Sequence, residues 1–81
     1  MRVIHERTHQ GCRITFFAWN NRYIIKLEEG TLEQTFKVDQ FDIQNEQELL
    51  KLVDAEFVQQ AMNRFLEMGR SLYEAKVRGA E

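Results

Sequence analysis

FFAWNNRYII, residues 16–25, decides how the first half of this chain is read. Two asparagines sit between two runs of large apolar residues. Asn tolerates positive φ, which both central residues of the tightest hairpin turn require. A two-residue turn at Asn20-Asn21 makes partner numbers sum to 41. Phe16 then faces Ile25, Ala18 faces Tyr23 and Ile14 faces Leu27 on one face of the hairpin. Phe17 faces Ile24, Thr15 faces Lys26, Arg13 faces Glu28 and Trp19 faces Arg22 on the other. Apolar meets apolar and opposite charges meet, the cross-strand pairing that stabilises a sheet by roughly 0.2–1 kcal/mol per pair. A slip of one residue would send every side chain to the opposite face.

The same punctuation recurs on either side. HQG at 9–11 and EG at 29–30 bound two further segments, so strands are expected near 2–8, 12–19, 22–28 and 31–38. With Glu29-Gly30 as the third turn the sum is 59, which sets Leu27 against Leu32, Tyr23 against Phe36, Lys26 against Glu33 and Ile24 against Thr35. Moving that turn by one residue would oppose Glu28 and Glu33. With Gln10-Gly11 as the first turn, Val3 faces Ala18, Ile4 faces Phe17, Glu6 faces Thr15 and Arg2 faces Trp19. The polar content of segment 2–8 suits an edge strand guarded by charge.

Beyond FDIQ the apolar period changes from two to that of a helix. Asn45 followed by Glu48 is a capping-box pattern, which starts a helix near residue 46. Leu49, Leu50, Leu52 and Val53 lie on a different helical face from the apolar residues that follow, and a break at Asp54 resolves this. Asp54 caps a second helix, with Val53 and Val58 placed as a hydrophobic staple. Two helices, 46–53 and 55–77, are favoured over one bent helix. The second carries Val58, Ala61, Met62, Phe65, Leu66, Met68, Leu72 and Tyr73, with Gly69 inside the stripe. Twenty-three helical residues span about 35 Å, and a strand of this length about 25 Å. The end bearing Leu72 and Tyr73 is therefore expected to overhang the sheet. Glu56, Arg64, Glu67, Arg70 and Glu74 read as a solvated helix face.

The fold class expected is thus α+β: a four-stranded antiparallel meander, then a short helix and a long C-terminal helix on one sheet face. One domain, 1–81, accommodates the meander at 1–40 and a helical segment at 45–78. Eighty-one residues bury only about 60–65% of the surface that the unfolded chain exposes, so self-association would help stability. The chain has no proline, one cysteine and a net charge of −2. Residues 1–43 carry six acids and six bases and residues 44–81 seven and five, and the lack of a basic excess counts against a duplex-DNA binder. Arg2, Glu6, Arg7 and Arg13 interrupt the first twenty residues, so no signal peptide is read there. No segment has membrane-spanning length. A lone Cys12 fits a reducing, cytoplasmic setting.

One sheet face, with Val3, Ile14, Phe16, Ala18, Tyr23, Ile25, Leu27, Leu32, Phe36 and Val38, is enough to receive the long helix. The opposite face carries Ile4, Phe17 and Ile24 side by side, with Trp19 at one end and Arg2, Arg22 and Lys37 around it. This face has three candidate roles. It is shielded by the short helix or by arginine stems; or it binds a second copy or another protein; or Trp19 and Phe17 stack on bases of a single strand while Arg2, Arg22 and Lys37 contact phosphates. Four antiparallel strands followed by a helix, paired into dimers, resembles the arrangement of the Whirly and PUR-repeat nucleic-acid binders. That resemblance covers the order of elements and no motif, and it implies the single-strand role alone. The self-association role falls to the helix residues Leu66, Gly69, Leu72 and Tyr73.

Chemistry-bearing residues are sparse. His9 and Cys12 flank the first turn, where a Cys–His pair would be a nucleophile with its base or two metal ligands. His5 lies about 13 Å from His9 along the strand, too far to complete a site. Asp39 and Asp42 bracket Phe41, but acids before a helix suit its positive end. No phosphate-cradling glycine loop, nucleophile elbow or zinc-finger spacing is present. The expectation is a non-catalytic interaction or regulatory module without cofactor or metal, homodimeric, with single-stranded nucleic-acid binding as the alternative.

Overall fold

A computed structural model describes residues Met1–Ala80. Four strands, β1 (Arg2–His9), β2 (Cys12–Trp19), β3 (Arg22–Glu29) and β4 (Leu32–Asp39), form one antiparallel sheet in sequence order. A 3-10 turn at Gln40–Asp42 leads to α1 (Glu46–Leu52) and α2 (Ala55–Gly79). The fold class is the expected α+β meander followed by two helices.

The β2–β3 register pairs Phe16 with Ile25 and Phe17 with Ile24, as the turn arithmetic requires. Asn20 and Asn21 both adopt positive φ, 54° and 63°, the turn geometry that matches strand twist.

The other two registers depart from expectation. Between β3 and β4 the partners sum to 61 instead of 59: Tyr23 faces Val38, Ile25 faces Phe36, Ile24 faces Lys37, Lys26 faces Thr35 and Leu27 faces Gln34. Gly30-Thr31 makes the turn, with Gly30 at φ 60°, and glycine at the first central position is what one of the two favoured hairpin turns demands. Glu28 does face Glu33. That repulsion is relieved because Glu28 has Arg13 across its other side and Glu33 reaches Lys26 diagonally at 3.2 Å. A shift of two preserves sidedness, so the faces of β4 stand.

In β1 the register shifts between Val3 and His5: Glu6 faces Thr15 as expected, but Val3 faces Phe17 and Arg2 faces Ala18. Ile4 is the extra residue of a bulge, a device common on edge strands. Ile4 and Val3 therefore exchange the faces assigned to them. Ile4 packs against the core, and Val3 is left 54% exposed on the opposite side. The exchange also turns Arg2 to the helix face, where it donates to Glu46 of α1 at 2.7 Å.

Both helices cover the same face. Cys12, Ile14, Phe16, Ile25, Leu27, Leu49, Val53, Val58, Ala61 and Phe65 form the buried cluster. Capping follows the sequence signals. Asn45 accepts from Glu48 N–H, Glu48 reaches back to Gln44 N–H, and Asp54 accepts from Phe57 N–H at 2.8 Å. Gln34 locks β4 to α2 by donating to the Ala61 carbonyl and accepting from Arg64. Phe36 meets Phe57 edge-on at 5.2 Å.

Arg7 fastens the short helix. Its guanidinium lies over the Phe16 ring, 5.4 Å from the centroid, and donates to the Val53 and Leu50 carbonyls, which the end of α1 leaves without helical partners. Replacing Arg7 by Met should strand those partly buried carbonyls and lower stability by about 1–3 kcal/mol in urea unfolding. Arg13→Met removes the solvent-exposed pair with Glu6 and the cation across from Glu28, surface interactions that together should lower stability by less than about 1 kcal/mol.

Candidate interaction surfaces

Among the described residues, no element covers the sheet face opposite the helices. Its centre is Phe17 beside Ile24, with Thr15 below them; Ile24 and Thr15 are buried by their neighbours alone. Trp19 is 51% exposed and pairs with Arg22, which in turn faces Asp39. Lys37 lies directly across from Ile24. Phe17, Trp19, Arg22, Ile24 and Lys37 thus gather on one surface, as the pattern requires. Ile4 and Arg2 do not join them, because the bulge carries both to the helix side; Val3 takes the place of Ile4. The short helix does not shield this face, since its buried residue Leu49 lies in the core on the other side.

Phe41 was bracketed in the sequence only by the acids around it. It is 90% exposed. Asp39 accepts from its backbone N–H at 2.9 Å, which accounts for that acid as a cap. The Gln40 N–H donates to the Asn21 carbonyl, so Phe41 stands at the same end of the sheet as Trp19. An isolated aromatic in a polar connection has no period, and no pattern in the sequence flags it.

The second surface is on α2. Twenty-five residues span about 37 Å, against about 26 Å for an eight-residue strand, and the molecule measures 51 Å along its long axis. Gly69 is the last α2 glycine near the sheet, with a Cβ built there 3.8 Å from Leu32 at the start of β4. Every described residue after it is exposed, including Leu72, Tyr73 and Val77. Leu66 is 74% and Tyr73 68% exposed. Leu66, Gly69, Leu72 and Tyr73 therefore lie on the flank and overhang of one helix. No described helix is long and apolar enough to cross a membrane.

His9 does face Cys12 across the first hairpin. Cys12, however, is fully buried, and burial pushes its thiol pKa up, with the Glu29 carboxylate adding to the effect. A thiol raised in this way is less nucleophilic at neutral pH, the reverse of an activated one. The adjacent pocket of about 220 Å³ is lined by Arg7, His9, Val53 and Asp54. Arg7 and Asp54 are already committed to backbone groups. No group of three metal-ligating side chains is found among the described residues.

The chain matches no protein-family model, no curated protein and no solved structure.

Cys12 should resist a soluble thiol reagent in the folded protein and react at the rate of an ordinary cysteine in urea. Because the folded thiol pKa is raised, its neutral form contributes stability below the ordinary thiol pKa that is lost as pH rises above it. Fast alkylation in buffer would contradict the burial that the fold assigns to Cys12.

Proposed function

We propose that this protein is a non-catalytic interaction module that works as a homodimer, joined through α2 and presenting the outer sheet face to a partner. The observation that carries this reading is the α2 overhang. Beyond Gly69 the helix leaves Tyr73 68% and Val77 44% exposed, and Leu72, at the edge of a groove with Leu32 and Gln34 of β4, 43% exposed. Large apolar residues contiguous on one side of a helix are stable there when a second surface covers them. The outer face supports the division of roles: it is an apolar island of Val3, Phe17 and Ile24 within a polar rim, which is how partner surfaces are built.

Sedimentation at micromolar concentration tests the reading. The wild type should sediment as a dimer, Leu72→Glu as a monomer, and Trp19→Ala as a dimer. A wild-type monomer at tens of micromolar would remove the homodimer.

A second reading has its own observation. Trp19 is half-exposed beside Arg22, with Lys37 on the same face, the combination of stacking ring and cation that single-stranded nucleic acid requires. If it holds, single-stranded oligonucleotides quench Trp19 fluorescence, and the quenching weakens as salt rises because counterions are released on binding. Absence of quenching at low salt, across pyrimidine and purine oligonucleotides, would dispose of this reading.

A further inference from the structure

We infer that the second copy joins at the open edge of β4, antiparallel about a two-fold axis through Thr35, so that the two sheets become one. The inference rests on the homodimer reading and adds to it the residues that pair and their register.

The turn fixes which backbone groups of β4 are free. In a two-residue hairpin the residue after the turn bonds back to the residue before it, and bonded positions then alternate along the strand. The Gly30-Thr31 turn thus directs the backbone groups of Leu32, Gln34, Phe36 and Val38 to β3. At the far end the Gln40 N–H donates to the Asn21 carbonyl, which is the same phase. Glu33, Thr35 and Lys37 therefore direct their N–H and C=O groups outward, where β4 ends the sheet. The opposite edge is guarded by the bulge between Val3 and His5. β4 pairs with β3 without a shift, and the chain has no proline. A regular row of open donors and acceptors takes an extended strand.

The side chains say which strand. A second β4, with partner numbers summing to 70, sets Thr35 against Thr35, Glu33 against Lys37 and, on the helix side, Leu32 against Val38. On the outer face Glu6, Glu28 and Glu33 share only two cations: Arg13 pairs with Glu6 and faces Glu28, and Lys26 reaches Glu33. Glu28 and Glu33 also face each other. Lys37 ends the apolar row of Phe17 and Ile24 and is in no ion pair among the described residues. In this register it supplies the acidic cluster of the other copy with its third cation. The alternatives that keep the free backbone groups facing are poorer. Centring on Glu33 or Lys37 opposes like charges, and centring on Phe36 opposes Glu33 and Asp39. Centring on Gln34 sets Lys37 against Thr31.

The helix side agrees. An open groove of about 710 Å³ runs between β4 and α2, with Leu32, Met68 and Leu72 in its walls. Val38 of the second copy, set against Leu32, sits at its mouth, so the β4 edge and the α2 flank belong to one interface. A two-fold contact makes each pair twice.

Reversed charges read the register. Glu33→Lys alone and Lys37→Glu alone should each dimerise at least about tenfold more weakly than wild type, since each opposes like charges twice. Mixed, the two variants should recover wild-type affinity as a heterodimer, in which both pairs are opposite. Thr35→Cys should link to itself on oxidation, because a hydrogen-bonded pair holds its Cα atoms about 5.5 Å apart, within disulfide reach. Thr8→Cys, on the β1 edge, should not, and the wild type with buried Cys12 is the control. Thr35→Pro removes only an outward N–H, which an edge strand tolerates, and should give a folded monomer. A wild-type dimer whose reversed chains associate no better mixed than apart, or whose Thr35→Cys chains fail to link, overturns the edge pairing and leaves the homodimer standing. A wild-type monomer overturns both.

Discussion

The contact between Phe16 and Ile25 fixes what every other part of the molecule does. It is imposed by the Asn20-Asn21 turn, where positive φ at both residues leaves a two-residue loop and a single register. With Phe16 and Ile25 inward, Ile14 and Leu27 are inward too, and all four are almost wholly buried. The helices are apolar on one side and have only this surface to cover. Once they are seated, Phe17, Ile24 and Trp19 are committed to the opposite side. The uncovered face is thus a consequence of the core's register: the hairpin has more large apolar residues than one face can hold.

The elements that were legible share a local cause. Helix starts at Asn45 and Asp54 follow from side chains that accept their own backbone N–H groups, and such a signal needs no knowledge of the rest of the chain. The break between α1 and α2 was legible because apolar residues on its two sides point in different directions. In the β3–β4 register the Glu28–Glu33 opposition is not decisive. Like charges on an exposed surface cost little when a cation sits diagonally, whereas placing glycine where a turn needs positive φ acts on the backbone itself. Turn chemistry won over side-chain pairing.

The β1 bulge was hidden for a different reason. Ladder arithmetic from the Gln10-Gly11 turn is correct as far as His5. Beyond it, the strand gains more by adding a residue: Ile4 enters the core and Arg2 reaches Glu46. The first depends on the core as a whole and the second on α1, more than forty residues away in sequence, and an alternating pattern on an edge strand contains no trace of them. Part of the candidate surface moved with the bulge. Its centre did not, because Phe17 and Ile24 belong to the internal hairpin, where a neighbour on each side leaves no freedom to slip.

The overhang of α2 bears on association through preorganisation. Ten residues excised from this helix would be marginal in water, since the first turn fixes several dihedral angles for a single hydrogen bond. Here the nucleus already exists. The half of α2 from Val58 to Phe65 is held by the sheet, and the remainder propagates from it through residues of high helix propensity such as Leu72, Ala75 and Lys76. Lys76 and Arg78 in the last turn favour the negative helix end as well. The apolar flank is therefore rigid before any partner arrives, and a partner need not supply the ordering energy that a disordered segment demands. A helix longer than the sheet beneath it costs the monomer exposed apolar surface, and the same length gives a docking surface already in its bound shape.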